Sequence, residues 1–181
     1  MKNPLPGRRR ESGRILRSLA MFALLGAAVL TPAEAGFTAK DAQILGRVLG
    51  FLDPAPPSSV TLALVYDSAA SKAEADALAG QIAGKAGNFT LVPKVVKASD
   101  LGGSGANAIL LMSGVSAGAA TDIVKTKKIP CFTSDSALVK NGTCLISITT
   151  EGKVEILVSG TLQKASGVGF GAAFRMMITE V

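Results

Sequence analysis

Residues 60–66 read Val-Thr-Leu-Ala-Leu-Val-Tyr and residues 106–112 read Ala-Asn-Ala-Ile-Leu-Leu-Met. Both are near-continuous apolar runs of strand length, a pattern that suits central strands covered on both faces. Between them, Ser71-Lys72-Ala73-Glu74 has the form of a capping box, in which Ser and Glu each satisfy an orphan backbone donor. The helix it predicts carries Leu78, Ile82 and Ala86 on one face and ends near Gly87. Phe89 to Val96 reads as a second strand, placed at an edge by Pro93, because proline cannot donate to a sheet ladder. A helix over Ala117–Lys127 then leads to a short fourth strand, Ile129 to Thr133.

Working outward, Thr38 and Asp41 flank the start of an amphipathic helix with Ile44, Leu45, Val48, Leu49 and Leu52 at helical spacing. Asp53-Pro54 and Pro56-Pro57 stop it. At the other end, Thr143–Thr149 and Lys153–Val158 flank Glu151-Gly152, a hairpin signal. A Gly-interrupted helical segment, 160–177, closes the chain, with Leu162, Ala165, Phe170 and Phe174 as its core contacts. Alternating strands and helices predict an α/β domain: three layers, a mostly parallel sheet, and a C-terminal β-hairpin and helix.

The first 35 residues have a different character. Arg8, Arg9, Arg10, Arg14 and Arg17 precede an uncharged apolar run, Leu19 to Leu30, and then Ala33-Glu34-Ala35. A basic leader, about a dozen apolar residues and A-x-A is the layout of a secretory signal peptide. The run is short for a membrane span, which takes about 20 residues; an uncut anchor is the alternative. The expectation is export to the periplasm with cleavage after Ala35, leaving 36–181 as a single domain. Residues 1–35 hold six of the 19 basic and two of the 13 acidic side chains, so the remainder carries 13 against 11, a net +2. That balance argues against nucleic acid, whose binding needs clustered Lys and Arg. Lys125, Lys127 and Lys128 form the one dense basic group left and read as a solvated helix end.

The two cysteines are Cys131 and Cys144. In an exported chain an even count favours a disulfide. The sequence contains no histidine, which excludes Ser-His-Asp and Cys-His catalysis and makes a zinc site poor. Neither metal nor cofactor is expected. In open parallel sheets, ligands sit beyond the carboxyl ends of the strands, near the switch in strand order. Those ends hold Asp67 and Ser68, Ser113, and Thr133, Ser134 and Asp135. The set suits a small polar ligand better than a reaction; the alternative is that Asp67 and Asp135 cap turns and helices. Gly102-Gly103-Ser104-Gly105 precedes a strand, whereas a phosphate cradle comes after one, so it reads as a connector. Met176 and Met177, beside Phe170 and Phe174, read as core or as a partner-binding surface. The apolar face of the first helix would make a dimer surface if the sheet left it half covered.

The segment Ala42–Pro57 followed by Val60–Tyr66, the run Cys131-Phe132-Thr133-Ser134-Asp135, the Asn141-Gly142 step and the closing stretch Val154–Met177 with Gly167 together resemble the YfiR/HmsC-like family of periplasmic regulators. Ser159 stands where members usually carry Asn, and Gly171-Ala172 where paired Ser is common. The resemblance implies a non-enzymatic protein that binds and restrains the periplasmic part of an inner-membrane signalling protein. A diguanylate cyclase of cyclic-di-GMP signalling or a sensor kinase would be that partner, with an outer-membrane protein as a second partner and a homodimer as the working state. The other reading is a periplasmic small-molecule binding protein resembling one lobe of a transporter receptor.

Overall fold

The computed structural model describes residues 36–181; the signal-peptide reading falls outside them. In chain order the elements begin α1 (Ala39–Leu49), β1 (Leu52–Asp53), β2 (Ser59–Tyr66), α2 (Ala69–Ile82), β3 (Gly84–Ala86) and β4 (Phe89–Lys97). A 3-10 helix (Ala98–Gly103), β5 (Ala108–Leu111), α3 (Gly118–Lys127), β6 (Cys131–Thr133) and α4 (Ser136–Lys140) come next. The hairpin β7 (Ile146–Thr149) and β8 (Glu155–Val158), then α5 (Gly160–Ser166), β9 (Gly169–Phe170), α6 (Ala172–Arg175) and β10 (Thr179–Glu180) complete the chain.

Eight strands form one sheet in the order β10-β8-β7-β6-β5-β2-β4-β3. Pairings from β4 through β2, β5, β6 and β7 are parallel, and the β7–β8 hairpin is antiparallel. This is the expected three-layer α/β architecture. Strand β2 lies between β5 and β4, and Val60 and Leu62 to Val65 are fully buried, as the unbroken apolar run requires. Helix α2 packs on β2 and β4, and α1 touches α2, β4 and β7. Helix α3 packs with the 3-10 helix, α5 and β6. Pro93 sits in β4 just beyond the three residues that pair with β3, where a missing N–H costs the ladder nothing.

Local chemistry moved several boundaries. Helix α2 is capped by Ser68, whose Oγ accepts from Ser71 N at 3.1 Å while the Ser71 hydroxyl serves Ser68 N at 3.1 Å. The box is therefore Ser68 to Ser71, one turn earlier than Ser71 to Glu74, because Ala69 and Ala70 are strong helix formers that extend it. The helix ends at Ile82, and Ala86 lies in β3 rather than on its face. Gly84, at φ 112, turns the chain out of α2 into β3, and Gly87, at φ 61, lies in the turn to antiparallel β4. The closing segment is not one helix. Gly167, at φ 66, ends α5, and β9 then pairs with β1 through Phe170 with Leu52. Ala165 is exposed, whereas Leu162, Phe170 and Phe174 are core. The Gly102–Gly105 connector is partly ordered, its first two residues ending the 3-10 helix.

Cys131 and Cys144 form a disulfide with Cα atoms 5.3 Å apart, both side chains fully buried. It ties the first residue of β6 to Cys144, two residues before β7. Thr121 of α3 donates from Oγ1 to the Thr143 carbonyl at 2.6 Å beside it. A loop of about 15 residues closed this way contributes roughly 3 kcal/mol in the chain-entropy account.

Helix α1 carries the expected cap. Thr38 Oγ1 accepts from Asp41 N at 3.2 Å, and Asp41 Oδ2 accepts from Thr38 N at 2.8 Å. Its Leu45, Val48 and Leu49, with Leu52 beyond, are buried, so this face is core and not a dimer surface. Gly46 makes the seating possible: a Cβ there would overlap the carbonyl of Ala86 in β3. Gly46→Ala should therefore destabilise the protein by about 1–3 kcal/mol, although alanine is the better helix former by about 1 kcal/mol. Urea unfolding measures it, and a stabilised variant would contradict the close approach.

Candidate functional site

The strand-end residues fall into two groups. At the ends of β2 and β5, Asp67 Oδ2 accepts from Ser116 N at 3.2 Å. Glu74 of α2 accepts from Ser113 N at 3.1 Å and from Ser113 Oγ at 3.0 Å. These bonds stitch together the point where strand order reverses, and Gly36 packs against the Glu74 carboxylate. Ser68 is occupied as the α2 cap. The second group stays local to β6. Thr133 Oγ1 accepts from Asp135 N at 3.0 Å, Asp135 Oδ1 accepts from Ala137 N at 2.7 Å to cap α4, and half-buried Ser134 lies between them. Every carboxylate of the predicted set thus already holds a backbone N–H. The geometry is that of caps and turns.

A different concavity lies elsewhere on the molecule. A groove of about 730 Å³ runs between α1, the β3–β4 turn, the β7–β8 hairpin and the C-terminal segment. Ile44, Arg47, Val48 and Phe51 line one side, at spacings of three and four that put them on one helix stripe. This stripe adjoins the core stripe of α1 and shares Val48 with it. Phe89, Val154, Ile156, Phe174 and Met177 line the rest.

The ribbon β1–β9 sets the shape of this groove. It brings Phe170 opposite Leu52, and Gly171 N donates to the Phe51 carbonyl at 2.9 Å. Phe51 consequently stacks on Phe174, ring centroids 5.3 Å apart and 17° from parallel, and Phe174 also meets Phe170 at 5.1 Å. Val154 and Met177 remain 49% and 56% exposed, and Met176, next in sequence to Met177 but not lining the groove, 85%. The four residues read from sequence as core or surface therefore divide, with the phenylalanines inside and the methionines outside. The groove is not legible in the sequence because it needs Phe51 and Phe174, 123 residues apart, to meet. The one local signal was the stripe from Ile44 to Phe51 flanking the core stripe.

Lys125 and Lys127 occupy the last turn of α3, Lys128 caps it at φ 57, and Lys127 Nζ donates to the Gly102 carbonyl. They form the expected solvated helix end. No helix among the described residues is long and apolar enough to cross a membrane.

No protein-family model matches the sequence, and no curated protein matches it. Solved structures do share the fold. One is an ABC domain from Streptococcus pneumoniae in complex with L-Trp, at TM-score 0.56 and 12% identity, covering 78% of this chain and 62% of that one. Another is a conserved domain protein from Vibrio cholerae O1 biovar eltor, at TM-score 0.54 and 15% identity, covering 78% and 59%. The chain spans about 60% of the length of these chains. At such identities the likeness concerns the fold, a mostly parallel sheet flanked by helices.

If the strand-end groups are caps, Ser68→Ala and Asp135→Ala should each cost about 1 kcal/mol in urea unfolding. Unchanged stability in both would show that these side chains are free for another task.

Proposed function

We propose that residues 36–181 form a non-catalytic, exported regulatory module of the YfiR/HmsC-like type, which acts by contact with the periplasmic part of an inner-membrane signalling protein. The observation that carries this reading is the exposed apolar surface around the groove. Val154 and Met177 form an exposed apolar rim to the groove, whose floor includes the packed Phe51–Phe174 pair. Exposed apolar patches of this kind serve protein contact, and methionine adapts to the shape of a partner. The site offers no nucleophile and base, and the carboxylates at the strand ends hold caps. Regulation then requires only that the partner's inactive state bind the module better than its active state does. The Cys131–Cys144 bridge and the Thr121–Thr143 hydrogen bond brace the sheet from which the β7–β8 hairpin projects.

A second reading, a small-molecule binding protein resembling one lobe of a transporter receptor, is favoured by the likeness to a domain solved with L-Trp. Its ligand would lie at Asp67, Ser68, Ser113, Thr133, Ser134 and Asp135. There it would have to compete with the hydrogen bonds that Asp67, Ser68, Ser113, Thr133 and Asp135 already make.

Capture from membrane extract separates the two. The wild-type chain should recover one membrane signalling protein. Val154→Asp and Met177→Asp should reduce recovery at least tenfold while leaving folding stability within about 0.5 kcal/mol, as for other exposed substitutions. Equal recovery by both variants would exclude the groove rim as the contact surface.

A further inference from the structure

We propose that the groove beside α1 is also a ligand site for a free single-chain carboxylate amphiphile, a medium-chain fatty acid, whose tail lies along the apolar wall and whose head meets Arg47. This inference rests on the proposed role of the groove as the working surface, and it adds a chemical signal to it. The volume of about 730 Å³ falls in the range of roughly 300–1,000 Å³ typical of small-molecule sites. Apart from Arg47 and Asn88, the lining residues are apolar or glycine. Arg47 stands in the last turn of α1. Among the described residues the one ion pair joins Lys72 to Asp76, and none of their carboxylates pairs with the Arg47 guanidinium. A guanidinium beside an apolar trough matches a carboxylate with a tail: its fork takes both oxygens of one head group.

The packing of the rings selects a flexible chain over a flat ring. Phe51 already stacks on Phe174, and Phe174 meets Phe170. Those rings are committed to each other. Aliphatic surface remains at Ile44, Val154, Ile156 and Met177, along which an alkyl chain can lie. A bound tail would cover the rim that the partner needs, so the amphiphile and the signalling protein would compete.

The test uses protein purified from cells expressing the full-length chain. The chain contains no tryptophan, so displacement of a fluorescent fatty acid can be read without that background. Octanoate, decanoate and dodecanoate, below their micelle concentrations, should compete saturably at one site, with affinity rising about fourfold per methylene. Decanol and decyltrimethylammonium should bind at least tenfold more weakly than decanoate. Arg47→Gln should lose tenfold for the acid and nothing for the alcohol, with Arg47→Lys between. Val154→Asp should weaken all three acids.

Equal binding of decanol and decanoate, or an unaltered Arg47→Gln variant, would overturn the proposal. So would binding to anionic phosphatidylglycerol vesicles without binding to the free acids, which would make the surface a bilayer contact. Partner capture is run on the same preparations. No acid binding by the wild-type protein with its capture intact rejects the ligand alone, whereas failure of both in the wild type rejects the groove.

Discussion

The approach of α1 to the β3–β4 hairpin is the contact on which the rest of the structure depends. A helix backbone can lie against a strand carbonyl only where no Cβ intervenes, and Gly46 provides that place against Ala86. With α1 held there, Leu45 and Leu49 reach the core. The next stripe, Ile44 to Phe51, then has to face outward over the hairpin turn. The C-terminal segment completes the enclosure because β9 pairs with β1 at the foot of the same helix. Fold and groove are thus consequences of one seating.

That dependence explains what could be read in the sequence. The strands of the parallel sheet were legible from their own residues, because burial on both faces leaves an unbroken apolar run in β2 and β5. The hairpin at Glu151-Gly152 and the cap at Thr38 were legible because turns and caps are local chemistry. What escaped was set by distant partners. Ala86 continues the apolar period of α2, yet the left-handed turn at Gly84 and the ladder with Phe89 place it in a strand. The closing segment keeps a helical spacing of apolar residues, but Gly167 ends the helix and Phe170 is drawn into pairing with Leu52. The groove lies entirely in this second category, since Phe51 and Phe174 meet only once β1 and β9 have paired.

The strand ends show the reverse relation. Their residue types invite a ligand reading, and fold topology places them where ligands bind in open sheets. Hydrogen bonding then engages Asp67 with Ser116, Ser113 with Glu74, Thr133 with Asp135 and Asp135 with Ala137. Composition at a favourable place makes a poor site when its carboxylates already hold backbone N–H groups. The apolar rim is the opposite case: it holds little chemistry in sequence, but Val154 and Met177 remain exposed after folding beside the groove that the ring pair lines.

Site-specific photo-crosslinking in cells tests the central claim most directly. A crosslinking residue at Met177 or Val154 should trap an inner-membrane signalling protein, while the same residue at Ser134 or Asp67 should not. Crosslinks from the strand-end positions, and none from the rim, would contradict the account and return the binding surface to the ends of the parallel sheet.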